Sequence, residues 1–79
     1  MKAQVLFFGA TADSTGLRES EFEFIKGETV PTLVERLSQK FPRLANHKLL
    51  IAVNEEYADA DTILKDGDEV AIFTAVSGG

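Results

Sequence analysis

Hydrophobic residues along the chain follow the two spacings that are typical of strands and of a helix. The segments Lys2–Gly9 and Leu49–Val53 are apolar on both faces, which predicts strands in the interior of a sheet. In Glu21–Ile25 the phenylalanines alternate with glutamates, as in a strand with one buried and one solvated face. The last apolar segment, Glu69–Val76, is again strand-like. The pattern therefore predicts four main strands.

One helix is predicted between the second and the third strand. Thr29 is a suitable N-cap, Pro31 falls in the first turn, where its missing N–H costs nothing, and Pro42 ends the helix. Its apolar residues recur at i, i+3, i+4, i+7 and i+11 and form one stripe: Val30, Leu33, Val34, Leu37 and Phe41. We expect the segments Thr11–Ser20 and Arg43–Lys48 to be loops.

This order of elements predicts an α+β fold of the β-grasp (ubiquitin-like) type. One main helix packs on one face of a mixed sheet of four to five strands, the fifth being a very short strand at Tyr57-Ala58. Because one helix covers only one face, some apolar side chains of the central strands are left for the other face. Phe7, Phe73 and Tyr57 are candidates for an exposed patch that binds a partner protein. The pattern leaves open whether loops cover that face instead.

Composition limits the classes of function. The 79 residues suffice for a single domain, 1–79, and 44% of them are hydrophobic, as in a folded protein. A net charge of -5 argues against a nucleic-acid partner and suits a basic docking surface. The chain has no cysteine, which excludes a disulfide or a thiolate metal site. No apolar run is long enough to span a membrane and Met1-Lys2 leads directly into a strand, so we expect a cytoplasmic protein that binds no membrane.

Groups that perform catalysis or bind metals are sparse. The acidic residues from Asp59 to Glu69 lack the spacing of a calcium loop, and turns such as Asp66-Gly67 explain them, so we expect no metal site. His47, the only histidine, is expected to be a solvated loop residue without a nucleophile beside it. The sequence thus predicts a protein that is acted upon and is not itself an enzyme.

The remaining candidate for chemistry is the tail, Val76-Ser77-Gly78-Gly79, which directly follows the last strand. Two glycines form a thin, flexible thread that fits a narrow channel in another protein, and the alternative is a solvated, frayed end. The reactive group would be the carboxylate of Gly79, a poor electrophile until ATP converts it to an acyl adenylate. A sulfur nucleophile would then give a thiocarboxylate, whereas a thiol followed by an amine would give an isopeptide-linked modifier.

Three stretches closely resemble the MoaD family, namely Val5–Gly9, Ala52–Tyr57 and Leu64–Gly79. Members of that family are β-grasp sulfur carriers, small subunits of molybdopterin synthase, and are related to ThiS and distantly to ubiquitin. The resemblance implies that a MoeB-like E1-type enzyme uses ATP and a sulfur donor to convert Gly79 to a thiocarboxylate. It also implies a heterotetramer with a MoaE-like large subunit, which takes the tail into its active site and builds the dithiolene of molybdopterin. No cofactor would be bound to the carrier.

The resemblance assigns further residues to the partner interface. Phe73 and Tyr57 match positions that contribute to the apolar surface shared with the partners. The family usually has two prolines just before the tail, where this chain has Thr74 and Ala75. Without the prolines this segment is expected to be more adaptable, or to extend the strand pairing by a residue or two. A ubiquitin-like modifier conjugated through Gly79 and a ThiS-like carrier for thiamine thiazole are the alternative functions.

Overall fold

A mixed five-stranded sheet forms the framework of the molecule. The structure is a computed structural model and describes residues 1–75. The strands are β1 (Lys2–Phe7), β2 (Glu19–Glu23), β3 (Leu49–Val53), β4 (Glu56–Tyr57) and β5 (Glu69–Thr74). They are arranged in the order β2-β1-β5-β3-β4. β1 and β5 are parallel, and the other neighbouring strands are antiparallel. The predicted β-grasp fold, with its first and last strands at the centre, is confirmed.

The main helix, α2, spans Val30–Lys40 and covers one face of the sheet. Its apolar stripe forms as predicted, with Leu33 and Leu37 fully buried. Thr29 stands at the N-cap in an extended conformation, but its side chain makes no capping hydrogen bond to the backbone. The stripe packs on the inward-facing residues of β1 and β5, and the buried hydrophobic core comprises Ala3, Val5, Phe7, Phe24, Val30, Leu33, Leu37, Leu44, Leu64, Val70 and Ile72.

Both predicted loops contain short helices. An α-helix, α1, spans Ala10–Thr15, and a 3-10 helix spans Pro42–Asn46. The first begins because Gly9 adopts a φ of 57°, which turns the chain sharply after β1. The second is fixed by Leu44, which is fully buried in the core. Both helices are too short to show a helical period of hydrophobic residues in the sequence, so the pattern does not predict them. Within residues 1–75, no helix is long and apolar enough to cross a membrane.

The second strand lies two residues earlier than predicted, and side chains from α2 and the turn before it bind the backbone at its end. The Arg36 guanidinium donates to the carbonyl of Glu23 at 2.8 Å, and the Glu28 carboxylate accepts the N–H of Ile25 at 3.3 Å. The strand ends at Glu23, and the last hydrogen bond of its ladder runs from the N–H of Phe24 to the carbonyl of Met1 at 2.8 Å. Phe24 still points into the core, whereas Ile25 is exposed.

Thr11 in α1 is fully buried and ties this helix to the central strand. Its Oγ1 lies 2.7 Å from the carbonyl oxygen of Phe8 and 2.8 Å from that of Ile72. Thr11→Val keeps the shape of the side chain but removes this hydroxyl, so we expect the free energy of unfolding to fall by about 1–2 kcal/mol. Urea unfolding measures the change, with exposed Thr32→Val as the control. An equal effect of both substitutions would contradict this role of Thr11.

Candidate functional site

The end of β5 is bonded on the β1 side as far as Ile72 and on the β3 side as far as Ala75, the last described residue. On one side, Phe8 donates its N–H to the carbonyl of Ile72 at 3.0 Å. On the other side Thr74 pairs with Leu49, and the N–H of Ala75 donates to the carbonyl of Lys48 at 3.1 Å. Strand pairing therefore continues through Thr74 and Ala75, the positions at which the resemblance to the MoaD family would lead one to expect prolines. An amide donor that a proline would lack makes the last of these bonds.

The four tail residues, Val76, Ser77, Gly78 and Gly79, lie outside the described residues. Their predicted roles, threading for the first three and activation for Gly79, concern residues outside this range and stay predictions. The structure shows the position of β5, the strand that leads to the tail. Ala75 lies at the same end of the sheet as Lys48.

The face of the sheet opposite α2 carries an apolar patch. Side chains alternate along β5, so that Val70 and Ile72 are buried under the helix while Phe73 points to the other face. The rings of Phe73 and Tyr57 lie 6.0 Å apart at 51°, and Tyr57 is 77% exposed. We call the residues that share this face the apolar patch: Leu50, Ala52, Tyr57, Ala71 and Phe73. The sequence pattern leaves open whether loops cover this face of the sheet, and the structure shows that no loop within residues 1–75 covers Tyr57.

On the same face of the sheet, the region formed by β2 and the start of β5 is acidic. Glu19 and Glu21 on β2 are paired with outward-facing residues of β1, and Glu69 begins β5. Lys2 forms an exposed ion pair with Glu21 at 3.2 Å. The face thus combines an apolar area with a margin of mostly negative charge, which is the composition of a protein-protein interface with an apolar centre and a polar rim.

Phe7 does not belong to this surface, and its prediction as an interface residue is wrong. It is only 3% exposed and contacts the edge of Phe41, with ring centroids 6.1 Å apart. The reason is its register, because Phe7 pairs with Ile72 and both point toward α2. Its neighbour Phe8 is 51% exposed.

The acidic residues before β5 stabilise turns. Asp68 is buried, and its carboxylate accepts hydrogen bonds from Asn54 Nδ2 at 2.8 Å and from the N–H of Lys65 at 2.7 Å. Asp66 accepts the N–H of Lys2 at 2.8 Å. These contacts fix the start of β5 and so the position of the strand that leads to the tail.

Sequence reasoning missed two polar pairs. His47 is half-buried and not simply solvated, because its Nε2 lies 3.1 Å from Ser14 Oγ in α1. The Glu28 side chain is 3% exposed and forms an ion pair with Arg36 at 2.8 Å. Residue spacing within one helix does not predict either pair, because the two partners of each pair lie in different structural elements.

Comparison with known proteins gives consistent full-length matches. The family model described as ThiS family matches residues 5–79. The molybdopterin synthase sulfur carrier subunit of Mycobacterium tuberculosis is 42% identical over 82 residues, which cover 100% of this chain and 99% of that protein.

Solved structures show the same fold. A structure from Pyrococcus furiosus, named for subunit 1 of molybdopterin converting factor, has a TM-score of 0.88 and 29% identity, covering 95% of this chain and 98% of that one. A chain in the complex of subunits 1 and 2 of the molybdopterin-converting factor from Helicobacter pylori has a TM-score of 0.71 and 26% identity, with 100% of both chains covered.

Proposed function

The chain belongs to the ThiS family, whose model matches residues 5–79, and from this premise we propose that it is the sulfur carrier subunit of a molybdopterin synthase. The observation that carries the proposal is the match to the sulfur carrier subunit of Mycobacterium tuberculosis, at 42% identity over 100% of this chain. The match includes the tail residues, on which the chemistry of a carrier depends.

We propose that the carboxylate of Gly79 is the site of the chemistry. An oxygen of this carboxylate attacks the α-phosphorus of ATP in an E1-type enzyme, and pyrophosphate leaves. The terminal sulfur of a persulfide then attacks the acyl carbon and displaces AMP. A thiol cleaves the resulting sulfur–sulfur bond, which leaves a thiocarboxylate on Gly79 and a disulfide on the thiol side.

The groups that catalyse these steps belong to the partners in this proposal. The carrier supplies the acyl group, while the activating enzyme supplies the ATP site and the thiols, because this chain has no cysteine. The carrier is therefore a co-substrate that holds no cofactor of its own. Gly78, Ser77 and Val76 would lie in the partner's channel, and the glycine would suit its narrow part because it has no side chain.

A large subunit is the proposed recipient of the sulfur. The structural similarity to a chain from the two-subunit complex of Helicobacter pylori supports such a partner. We propose that the apolar patch docks on the large subunit and on the activating enzyme in turn, with two carriers and two large subunits in the synthase. Phe73 and Tyr57 would form the centre of this interface, beside the strand that leads to Thr74, Ala75 and the tail.

Reconstitution tests this function. The carrier, loaded with sulfur by an E1-type enzyme, is mixed with a MoaE-like large subunit and cyclic pyranopterin monophosphate. We expect molybdopterin to form in proportion to the thiocarboxylate consumed. If the loaded carrier instead becomes linked to lysines of other proteins, or gives its sulfur only to a thiazole-forming enzyme, the chain is a modifier or a thiamine carrier.

Tyr57→Ala is expected to weaken binding to the large subunit by about tenfold, because interface centres formed by large aromatic residues carry most of the binding energy. Ile25→Ala is the matched control, since Ile25 is 76% exposed and Tyr57 77% exposed, but only Tyr57 lies on the apolar patch. Calorimetric titration measures both affinities. Equal losses for the two variants would place the interface elsewhere.

A further inference from the structure

The outer edge of β3 is only half covered. Its inner edge bonds to β5, as shown by the bonds from Ala75 to the carbonyl of Lys48 and from Asn54 to the carbonyl of Glu69. In an antiparallel ladder these bonds alternate, so the main-chain groups of Leu49 and Ile51 point to the outer side. The two-residue strand β4 pairs with Ala52 and Val53 only.

Three main-chain groups of this edge have no partner in residues 1–75: the N–H and the C=O of Leu49, and the N–H of Ile51. The carbonyl of Ile51 does have one, the N–H of Ala58 at 2.9 Å. An edge with unpaired donors and acceptors is a template for another strand. The open part is short, which limits it to a few residues of an extended segment.

An apolar groove runs beside this edge, between β3 and α2. It has a volume of about 450 Å³ and lies on the helix side of the sheet, away from the apolar patch. Its floor is formed by the half-buried side chains of Val34, Leu49, Ile51 and Ala58. A strand added to β3 places alternate side chains into this groove, because side chains alternate between the faces of a sheet.

The charges at the groove are negative. Glu35 on α2 and Asp59 after β4 are exposed and line the groove, and its lining includes no lysine or arginine. The described side chains at this site therefore favour a segment that carries positive charge. The net charge of -5 for the whole chain acts in the same direction.

We propose that the groove and the open edge of β3 form a second docking site, which binds an extended, apolar segment bearing Lys or Arg from another protein. The segment adds its backbone to Leu49 and Ile51, buries apolar side chains against Val34, and places a cation near Glu35. The site does not depend on the reaction at Gly79. Since the groove and the apolar patch lie on opposite faces, a protein bound here leaves the patch free.

Peptide titration tests this site. The isotope-labelled full chain is titrated at low salt with a capped Lys-Ile-Val-Ile-Lys peptide and, as the matched control, with Glu-Ile-Val-Ile-Glu. We expect saturable shifts of the amide signals of Leu49 and Ile51, and binding of the lysine peptide about tenfold tighter than that of the glutamate peptide. Glu35→Lys should remove this preference, whereas Glu55→Lys, exposed and outside the groove lining, should keep it.

Three results would overturn the proposal. The first is the absence of shifts at Leu49 and Ile51 with the lysine peptide. The second is equal binding of both peptides by the unsubstituted chain. The third is a shift of the same amides with protein concentration alone, which would assign the edge to a second copy of this chain. None of these results depends on sulfur loading, so the proposed function stands or fails separately.

Discussion

A chain shortened by one residue, ending at Gly78, is expected to acquire sulfur about 100-fold more slowly, or not at all. The shortening moves the carboxylate by one residue, about 3.5 Å in an extended chain. Displacement of a reacting group by even 1 Å costs about 100-fold in rate when the attack depends on exact positioning. The large expected effect follows from the proposal that the main-chain carboxylate itself is the reacting group.

The fold is expected to survive this truncation. Among the described residues, the buried core lies between Ala3 and Ile72. The rate of sulfur loading is measured with the E1-type enzyme, ATP and a sulfur donor, and urea unfolding of the truncated chain serves as the control. Gly79→Ala keeps the chain length and adds one methyl group. It therefore separates the effect of the position of the carboxylate from the effect of the width of the last residue. A truncated chain that loads at the normal rate would contradict the proposed site.

Arg36→Met is expected to have the largest effect on stability among substitutions of surface residues. Breaking a buried ion pair costs about 3–5 kcal/mol because it leaves a buried charge without a partner. The Glu28 side chain is 3% exposed and that of Arg36 is 45% exposed. Water reaches the vacated site, so we expect a loss of about 2 kcal/mol in the free energy of unfolding.

The geometry of this pair gives a clear set of controls. Arg36 Nη1 contacts both carboxylate oxygens of Glu28 at 2.8 Å, and Nη2 donates to the carbonyl of Glu23. Arg43→Met removes an exposed arginine outside this cluster, and we expect almost no change. Glu28→Gln combined with Arg36→Met should cost less than the sum of the single changes. Equal effects of Arg36→Met and Arg43→Met in urea unfolding would show that the pair does not hold the turn after β2.

The sequence predicts the parts of the fold that are periodic and long. The helix stripe is recognisable because Val30, Leu33 and Leu37 recur at helical spacing over about two turns. The central strands are recognisable because both of their faces are apolar. Helix α1, with six residues, is too short for a periodic signal, and its buried residue is the polar Thr11. Its position depends on hydrogen bonds to distant residues.

The second limit of prediction from the sequence is the choice of the sheet face that the helix covers. Alternation along β5 and β1 separates the side chains into two sets, but it does not say which set the helix covers. Phe73 and Phe7 are therefore equal candidates for exposure: the register of the parallel pair places them on opposite faces, and the position of α2 decides which of the two faces is covered. Phe7 pairs with Ile72 on the helix side, whereas Phe73 pairs with Leu50 on the other side. The contact between His47 and Ser14 could not be predicted from the sequence either, because the two residues are distant in the chain and only the folded structure brings them together.

The most direct test of the carrier function is the intact mass of the full chain after incubation with an E1-type enzyme, ATP and a sulfur donor. We predict a mass increase that equals the replacement of one oxygen by sulfur, located by fragmentation at Gly79 and absent when ATP is omitted. An unchanged mass, or an increase located at any other residue, would contradict the account.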